Sequence, residues 1–269
     1  MPYQWMSVTT DYGTEDGFVA ACEGVMAVIA GHARIIHVTH AIAPGDVRRG
    51  AAVMAQILPY LPPAVHVGIV DPGVGTERRA IAVAAGEGVL IGPDNGLLLP
   101  AADALGGLDA AYQLADSRFW LPAVSRTFHG RDVFCPAAAH VAAGVAPAEL
   151  GPPVSIDQLV RLPPPTVEAV PGRVTAEVLG VDHFGTLQLA ATRAALDAAG
   201  LHPGQTVDLV TGDERTQAVV GSTFADAPAG HLVVLVDSAG YVAVAVNRGS
   251  AQQRLRAGAG AGLSLMLAE

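Results

Sequence analysis

Two hydrophobic periods alternate along the first half of this chain. Residues 7–10 form a short β-branched run that ends at Asp11, Tyr12 and Gly13, and residues 17–29 then carry apolar side chains at helical spacing. The switch recurs, predicting a strand at 35–38, a helix at 47–58 and strands at 65–70, 80–84 and 89–91, with a further helix over 134–143. Strands alternating with helices predict an α/β fold with a mostly parallel covered sheet, in which ligands sit beyond the carboxyl ends of the strands. Asp11 and Asp71 both fall at such ends.

The pattern changes after residues 161–172, where Pro163, Pro164, Pro165 and Pro171 rule out a helix or a central strand. This stretch reads as a Pro-rich linker between an N-terminal α/β domain, residues 1–160, and a C-terminal domain, residues 173–269. Short apolar runs follow at 173–181, 186–189, 206–210, 217–220, 232–236 and 241–246, separated by turn residues. They predict a smaller C-terminal antiparallel β-barrel domain. The Ala–Gly alternation at 257–262 reads as a loop before a last strand.

Composition narrows the function. Hydrophobic residues make up 51% of the 269 positions and charged ones 15%, which excludes a disordered chain. A net charge of -10 with no run of Lys or Arg argues against nucleic acid or an anionic membrane as partner. Cys22 and Cys135 have neither metal-knuckle nor disulfide-scaffold spacing, and both read as buried thiols. With no basic-then-apolar leader at residues 1–10 and no apolar run of about 18 residues, the expected location is cytoplasmic.

Candidate chemistry gathers in a few polar segments. Residues 71–79, Asp-Pro-Gly-Val-Gly-Thr-Glu-Arg-Arg, place a carboxylate at a strand end with glycines that allow close backbone approach; the alternative is a tight turn with solvated arginines. Residues 127–132, Thr-Phe-His-Gly-Arg-Asp, set His129 at the start of a helix beside Arg131 and Asp132, where Asp132 could serve as N-cap. Asp11 has the position of a carboxylate that binds ribose hydroxyls, or of an Asx turn. Residues 93–96 read as a structural turn, 182–185 as a hairpin turn offering Phe184 to a flat ring, and 247–250 as a polar strand end. No Walker loop, Gly-x-Gly-x-x-Gly after the first strand, His-Glu-x-x-His or Gly-x-Ser-x-Gly occurs.

Taken in order, residues 9–13, 71–79, 93–96, 127–132, 182–185 and 247–250 closely resemble the S-adenosylmethionine hydroxide adenosyltransferases, relatives of the fluorinase and chlorinase. The resemblance implies an α/β domain joined to a β-barrel, a homotrimer with sites between subunits, and hydrolysis of S-adenosyl-L-methionine to adenosine and L-methionine. It implies no cofactor and no metal, S-adenosyl-L-methionine being the substrate. It matches Asp71, Arg78 and His129 to the family's catalytic trio, whereas the halogenating relatives carry an aromatic residue for the Asp and a small one for the His. It further implies Asp11 on the ribose, Asn95, Phe184 and Thr186 among the substrate contacts, Asp182 and Ser238 at the methionine end, and Asn247 and Arg248 at the adenine. Thr186 stands where many relatives have Asn, and Ala243 where several have Glu. Two other functions compete with hydrolysis: halide transfer to C5′, and a non-catalytic sensor that binds adenosine or S-adenosylmethionine.

Overall fold

The computed structural model describes residues 2–212 and 214–268, and the elements counted are those of these residues. One compact unit ends at Leu162 and a second begins at Pro163.

In the first unit the predicted alternation is realised. The chain runs β1 (Trp5–Thr10), α1 (Phe18–Ile29), β2 (Arg34–Thr39), α2 (Val47–Ile57), β3 (Val65–Ile69), β4 (Ala80–Ala85), β5 (Gly88–Pro93), α3 (Leu99–Ala104), β6 (Leu108–Gln113) and α4 (Cys135–Ala142). The sheet order is β2-β1-β3-β5-β4-β6. The four strands β2, β1, β3 and β5 are parallel, and β4 lies antiparallel to both β5 and β6.

Every residue of β3 is buried because both sheet faces are covered. Met6, Val8, Val67 and Ile69 share a core with Cys22 and Met26 of α1 and the small residues of α4. Val83, Leu90 and Val70 share another with Ala51 and Met54 of α2 and Leu99 of α3. The fit on the second face is tight: a Cβ on Gly68 of β3 would stand 2.6 Å from the Met54 sulfur. Asp46 caps α2, its carboxylate accepting from Arg49 N at 2.9 Å, which supplies one partner for the orphan amides of a first turn.

Because β2 and β3 flank β1 on opposite sides, the order reverses at β1, and the carboxyl ends of β1 and β3 open side by side. Such a switch point is where open α/β sheets hold ligands.

In the second unit β7 (Val167–Val170), β8 (Arg173–Val181), β9 (Leu187–Thr192), α5 (Arg193–Ala199), β10 (Thr206–Thr211), β11 (Glu214–Val220), β12 (Leu232–Val236), β13 (Tyr241–Val246), α6 (Ala251–Leu255) and β14 (Gly262–Leu267) follow in order. Pairing of β14 with β8 closes a seven-strand barrel through β10, β11, β12, β13 and β9, with β7 appended to β8. The strict alternation of buried and less buried residues along β8 is what a closed barrel requires. The pairings are antiparallel except for β11 with β12. Residues 167–170, inside the stretch read as linker, form the edge strand β7, a position where flanking prolines are tolerated. No helix among the described residues is long and apolar enough to cross a membrane.

Candidate active site

The segment after β3 folds back through two consecutive turns. Val74 N donates to Asp71 O at 3.2 Å and Thr76 N to Gly73 O at 3.2 Å. Gly75 takes a left-handed φ of 77°, and a Cβ there would overlap the Arg126 carbonyl oxygen, so only glycine fits. The turns bring Arg78 back over Asp71. Its Nε donates to Oδ1 at 3.0 Å and its Nη2 to Oδ2 at 2.5 Å, a two-point charge-assisted pair. Both side chains are under 10% exposed, at 8% and 6%.

His129 meets this pair from a different part of the chain. Arg78 Nη2 also lies 3.1 Å from His129 Nδ1. A guanidinium has only donors, so Nδ1 must accept, and the neutral ring then carries its proton on Nε2. Burial, followed by the Arg78 charge, lowers the His129 pKa below the ordinary imidazole value, so the neutral form is favoured. Burial raises the Asp71 pKa, with the Arg78 charge as the main opposing influence.

The helix preceding α4 explains how His129 gets there. Residues Gly130–Phe134 form a π-helical turn, a wider coil than the α-helix predicted from residue 134 onward. Asp132 is not an N-cap as its position suggested. It is buried inside this turn, pairs with Arg131 at 2.6 Å and accepts from Ser125 N at 2.7 Å. Phe134 lies under the Arg78 guanidinium, 5.1 Å from ring centroid to Cζ.

Asp71 and His129 line a cavity of about 310 Å³ together with Asp11, Tyr12, Pro44, Gly45, Pro72, Val74, Thr127 and Gly130. Asp11 Oδ2 accepts from Gly45 N at 2.8 Å. Tyr12 is held close to Gly130, where any Cβ would overlap the Tyr12 hydroxyl. Burial drives the phenol pKa well above its ordinary value, keeping it an O–H group.

Asn95 is not in this cavity. Its Nδ2 donates to Val70 O at 2.8 Å and its Oδ1 accepts from Leu97 N at 3.2 Å, so the amide braces the strand end that carries Asp71. Asp94 beside it accepts from Arg79 Nε at 2.8 Å and Val160 N at 2.9 Å, making residues 93–96 a clasp.

Within the second unit, two turns are packed together. Asp182 Oδ1 caps its own turn, accepting from Phe184 N at 2.9 Å and Thr186 N at 2.8 Å, and leaves Phe184 76% exposed. Gln252 N donates to Gly185 O at 2.9 Å, which brings the turn containing Asn247 and Arg248 alongside. Asn247 Nδ2 is engaged by Ala227 O at 2.7 Å, while Arg248 is exposed with a left-handed φ of 60°. Ser238 does not join them. It lies in the turn before β13 and Asn247 in the turn after it, so the six residues of that strand separate the two by roughly 20 Å at about 3.4 Å per residue.

Sequence reasoning missed Tyr12, Gly130 and the loop with Pro44 and Gly45. The last of these was accessible, because it follows β2 and is governed by the same strand-end rule that picked out Asp11 and Asp71. Cys22 and Cys135 are buried as expected, and their thiols are hydrogen-bonded to each other, which raises the Cys135 pKa well above its ordinary value.

Fold and site together define a class: a switch-point α/β unit followed by a β-barrel, with a guanidinium bridging a carboxylate and an imidazole at the wall of a small-molecule cavity. The chain belongs to the SAM hydroxide adenosyltransferase family. Residues 6–151 match the family's N-terminal domain and residues 176–264 its C-terminal domain. It is 59% identical to the (R)-S-adenosyl-L-methionine hydrolase of Salinispora arenicola, covering 93% of each chain. It is 30% identical to the fluorinase of an Actinoplanes species, over 88% of this chain and 89% of that one. The crystal structure of an uncharacterized conserved protein from Thermotoga maritima superposes with a TM-score of 0.89 at 30% identity, covering 97% of this chain and 99% of that one.

Proposed function

We propose that this chain hydrolyses S-adenosyl-L-methionine to adenosine and L-methionine, using water as the nucleophile at ribose C5′. The observation that carries this is Arg78, buried and shared between Asp71 and His129 beside a cavity that also holds the Asp11 carboxylate. The identity to the Salinispora hydrolase supports water over halide, because the fluorinase lies at about half that identity. That relative's name specifies the (R) form, so the (R) sulfonium epimer is the substrate proposed here.

The sulfonium already provides a good leaving group, since a neutral thioether departs. What the protein must add is an oxygen nucleophile in line with the C–S bond. Arg78 uses Nε and Nη2 on its partners and keeps Nη1 to hold the water, while the His129 Nε2–H donates a second hydrogen bond to it. Water oxygen attacks C5′, the C5′–O bond forms, and the C–S electron pair returns to sulfur as methionine leaves. The proton shed by the new 5′-oxygen passes to Asp71, whose raised pKa makes it a better base than an exposed carboxylate. Asp11 holds the ribose hydroxyls through Oδ1. No cofactor or metal is assigned a role.

In the second unit we assign Asp182, Phe184, Thr186, Asn247 and Arg248 to substrate contacts and treat Ser238 as separate. The assembly we propose is a homotrimer, which would cover apolar residues such as Val28 of α1, 87% exposed in the single chain; light scattering coupled to gel filtration measures it.

The deciding experiment is product chromatography after incubation with S-adenosyl-L-methionine in oxygen-18 water, with and without fluoride or chloride. Adenosine labelled at the 5′-oxygen is the expected product. A 5′-halo-nucleoside would establish the halogenase function instead, and bound but unconverted substrate would establish a sensor.

A further inference from the structure

A second polar chain lies behind the Asp11 loop and is used by none of the steps above. His40, 9% exposed at the end of β2, faces Thr10 with Nδ1 2.8 Å from Thr10 Oγ1. Its Nε2 is 2.8 Å from His37 Nδ1, and His37 Nε2 is 3.7 Å from a Glu23 carboxylate oxygen on α1. On the other side, Tyr12 N donates to Thr10 Oγ1 at 3.2 Å and Gly13 N to His40 O at 2.8 Å. The ring and the carbonyl of one histidine thus hold residues on both sides of Asp11.

The hydrogens can be placed by requiring every donor to face an acceptor. The Tyr12 amide donates to Thr10 Oγ1, and the Thr10 hydroxyl hydrogen can then go to His40 Nδ1, the direction that the far end of the chain selects. His40 then carries its proton on Nε2 and gives it to His37 Nδ1, and the His37 Nε2–H faces Glu23. Reversing the chain would point a bare His37 nitrogen lone pair at a carboxylate. The forward direction is therefore the satisfied one.

We propose that His40 is a positioning residue for Asp11, with His37 and Glu23 selecting the tautomer that lets it hold Thr10. It touches neither substrate nor the reacting atoms. Its effect reaches the cavity through the Thr10–Gly13 loop, whose Asp11 is fixed on its far side by Gly45 N. The inference rests on the assignment of Asp11 to the ribose, so nucleoside affinity, and not the chemical step, is what His40 controls.

The test compares His40→Ala, His40→Asn, His40→Gln and Asp11→Ala in the full-length protein. Adenosine binding is read by titration calorimetry, KM and kcat by product chromatography, and folding by the thermal midpoint. Asn carries an oxygen near the position of Nδ1, whereas Gln carries its amide near that of Nε2. His40→Ala and His40→Gln are expected to weaken adenosine binding and raise KM about ten-fold, the scale of one lost hydrogen bond, with kcat within about two-fold. His40→Asn is expected to restore both. Unchanged affinity in His40→Ala, or equal recovery by Gln and Asn, would overturn the proposal, as would a loss confined to kcat. If Asp11→Ala keeps full adenosine affinity, the assignment of the carboxylate to the ribose fails first; if it loses affinity while His40→Ala does not, only the role of His40 fails.

Discussion

Replacing Arg78 by Ala removes three hydrogen bonds at once, two on Asp71 and one on His129, together with the cation lying over Phe134. Asp71 is then a carboxylate 6% exposed with its main counter-charge gone. Breaking a buried pair from one side costs about 3–5 kcal/mol; the lower end, about 3 kcal/mol, applies here because the pair borders an open cavity. Burial already raises the Asp71 pKa and Arg78 restrains it, so the variant raises it further. A carboxyl whose folded pKa exceeds its unfolded one gains stability as pH falls, because the folded state then binds the extra proton. The deficit relative to wild type should thus shrink between pH 7 and pH 5. Adding Asp71→Asn removes the stranded charge and should recover at least about 1 kcal/mol, a coupling expected of contacting residues. Turnover should fall by roughly 10² to 10⁴ in Arg78→Ala. Urea denaturation of the four proteins at both pH values, with product chromatography, measures each quantity. Strict additivity of the two substitutions, or full turnover in Arg78→Ala, would refute the reasoning.

The remaining expectations concern the same cavity. His129→Asn keeps an acceptor for Arg78 Nη2 but loses the Nε2–H, so turnover should drop by roughly 10² to 10³, the scale of one lost positioned donor, with an unchanged thermal midpoint; an active variant would remove His129 from the chemistry. Activity requires ionised Asp71, whose pKa is raised above 3.8, and neutral His129, whose pKa is lowered below 6.5. As pH falls, kcat/KM should therefore decline along an acid limb centred above 3.8, and a limb centred at or below 3.8 would contradict the assignment. Gly130→Ala sets a methyl group against the Tyr12 hydroxyl and should cost about 1–3 kcal/mol of stability, read by denaturant midpoint. Exhaustive treatment with a chelator should leave turnover unchanged, and restoration of a lost rate by added metal would show that the chemistry assigned to the three side chains is incomplete.

The α/β and β-barrel architecture was legible because period and turn chemistry act locally. The buried run of β3 and the inside–outside alternation of β8 are one-dimensional signals, and both elements formed where the pattern put them. The short helices α3, α5 and α6 were not legible, since five to seven residues give too little periodicity. Asp71 and Arg78 are grouped by the resemblance alone, since the local reading of 71–79 leaves a turn with solvated arginines open; the seven-residue step between them, with its two glycines, folds into the turns that bring them together. The contact of Tyr12 with Gly130 could not be read from the sequence, because it depends on a π-helical turn, which leaves no periodic trace. Nor could the meeting of Cys22 with Cys135, which follows from the packing of α1 on α4 across more than a hundred residues of chain. Asn95 shows how two readings of one segment part: residues 93–96 read as a structural turn from their composition and Asn95 as a substrate contact from the resemblance, and its amide is engaged by the backbone around Val70 and Leu97.

The choice of arginine at residue 78 follows from counting donors. A guanidinium offers five N–H groups in a rigid plane. One on Nε and one on Nη2 match the two oxygens of Asp71, and the second hydrogen of Nη2 reaches His129 Nδ1. Two on Nη1 are left. A lysine ammonium has three donors on one atom and cannot span a carboxylate bidentately while still holding an imidazole and a water. The same geometry fixes the imidazole: a ring that accepts at Nδ1 presents a hydrogen at Nε2, so in the proposed hydrolysis His129 can orient the water but cannot be the first to take its proton. In the proposed reaction that duty passes to the Asp71 carboxylate, whose pKa burial raises.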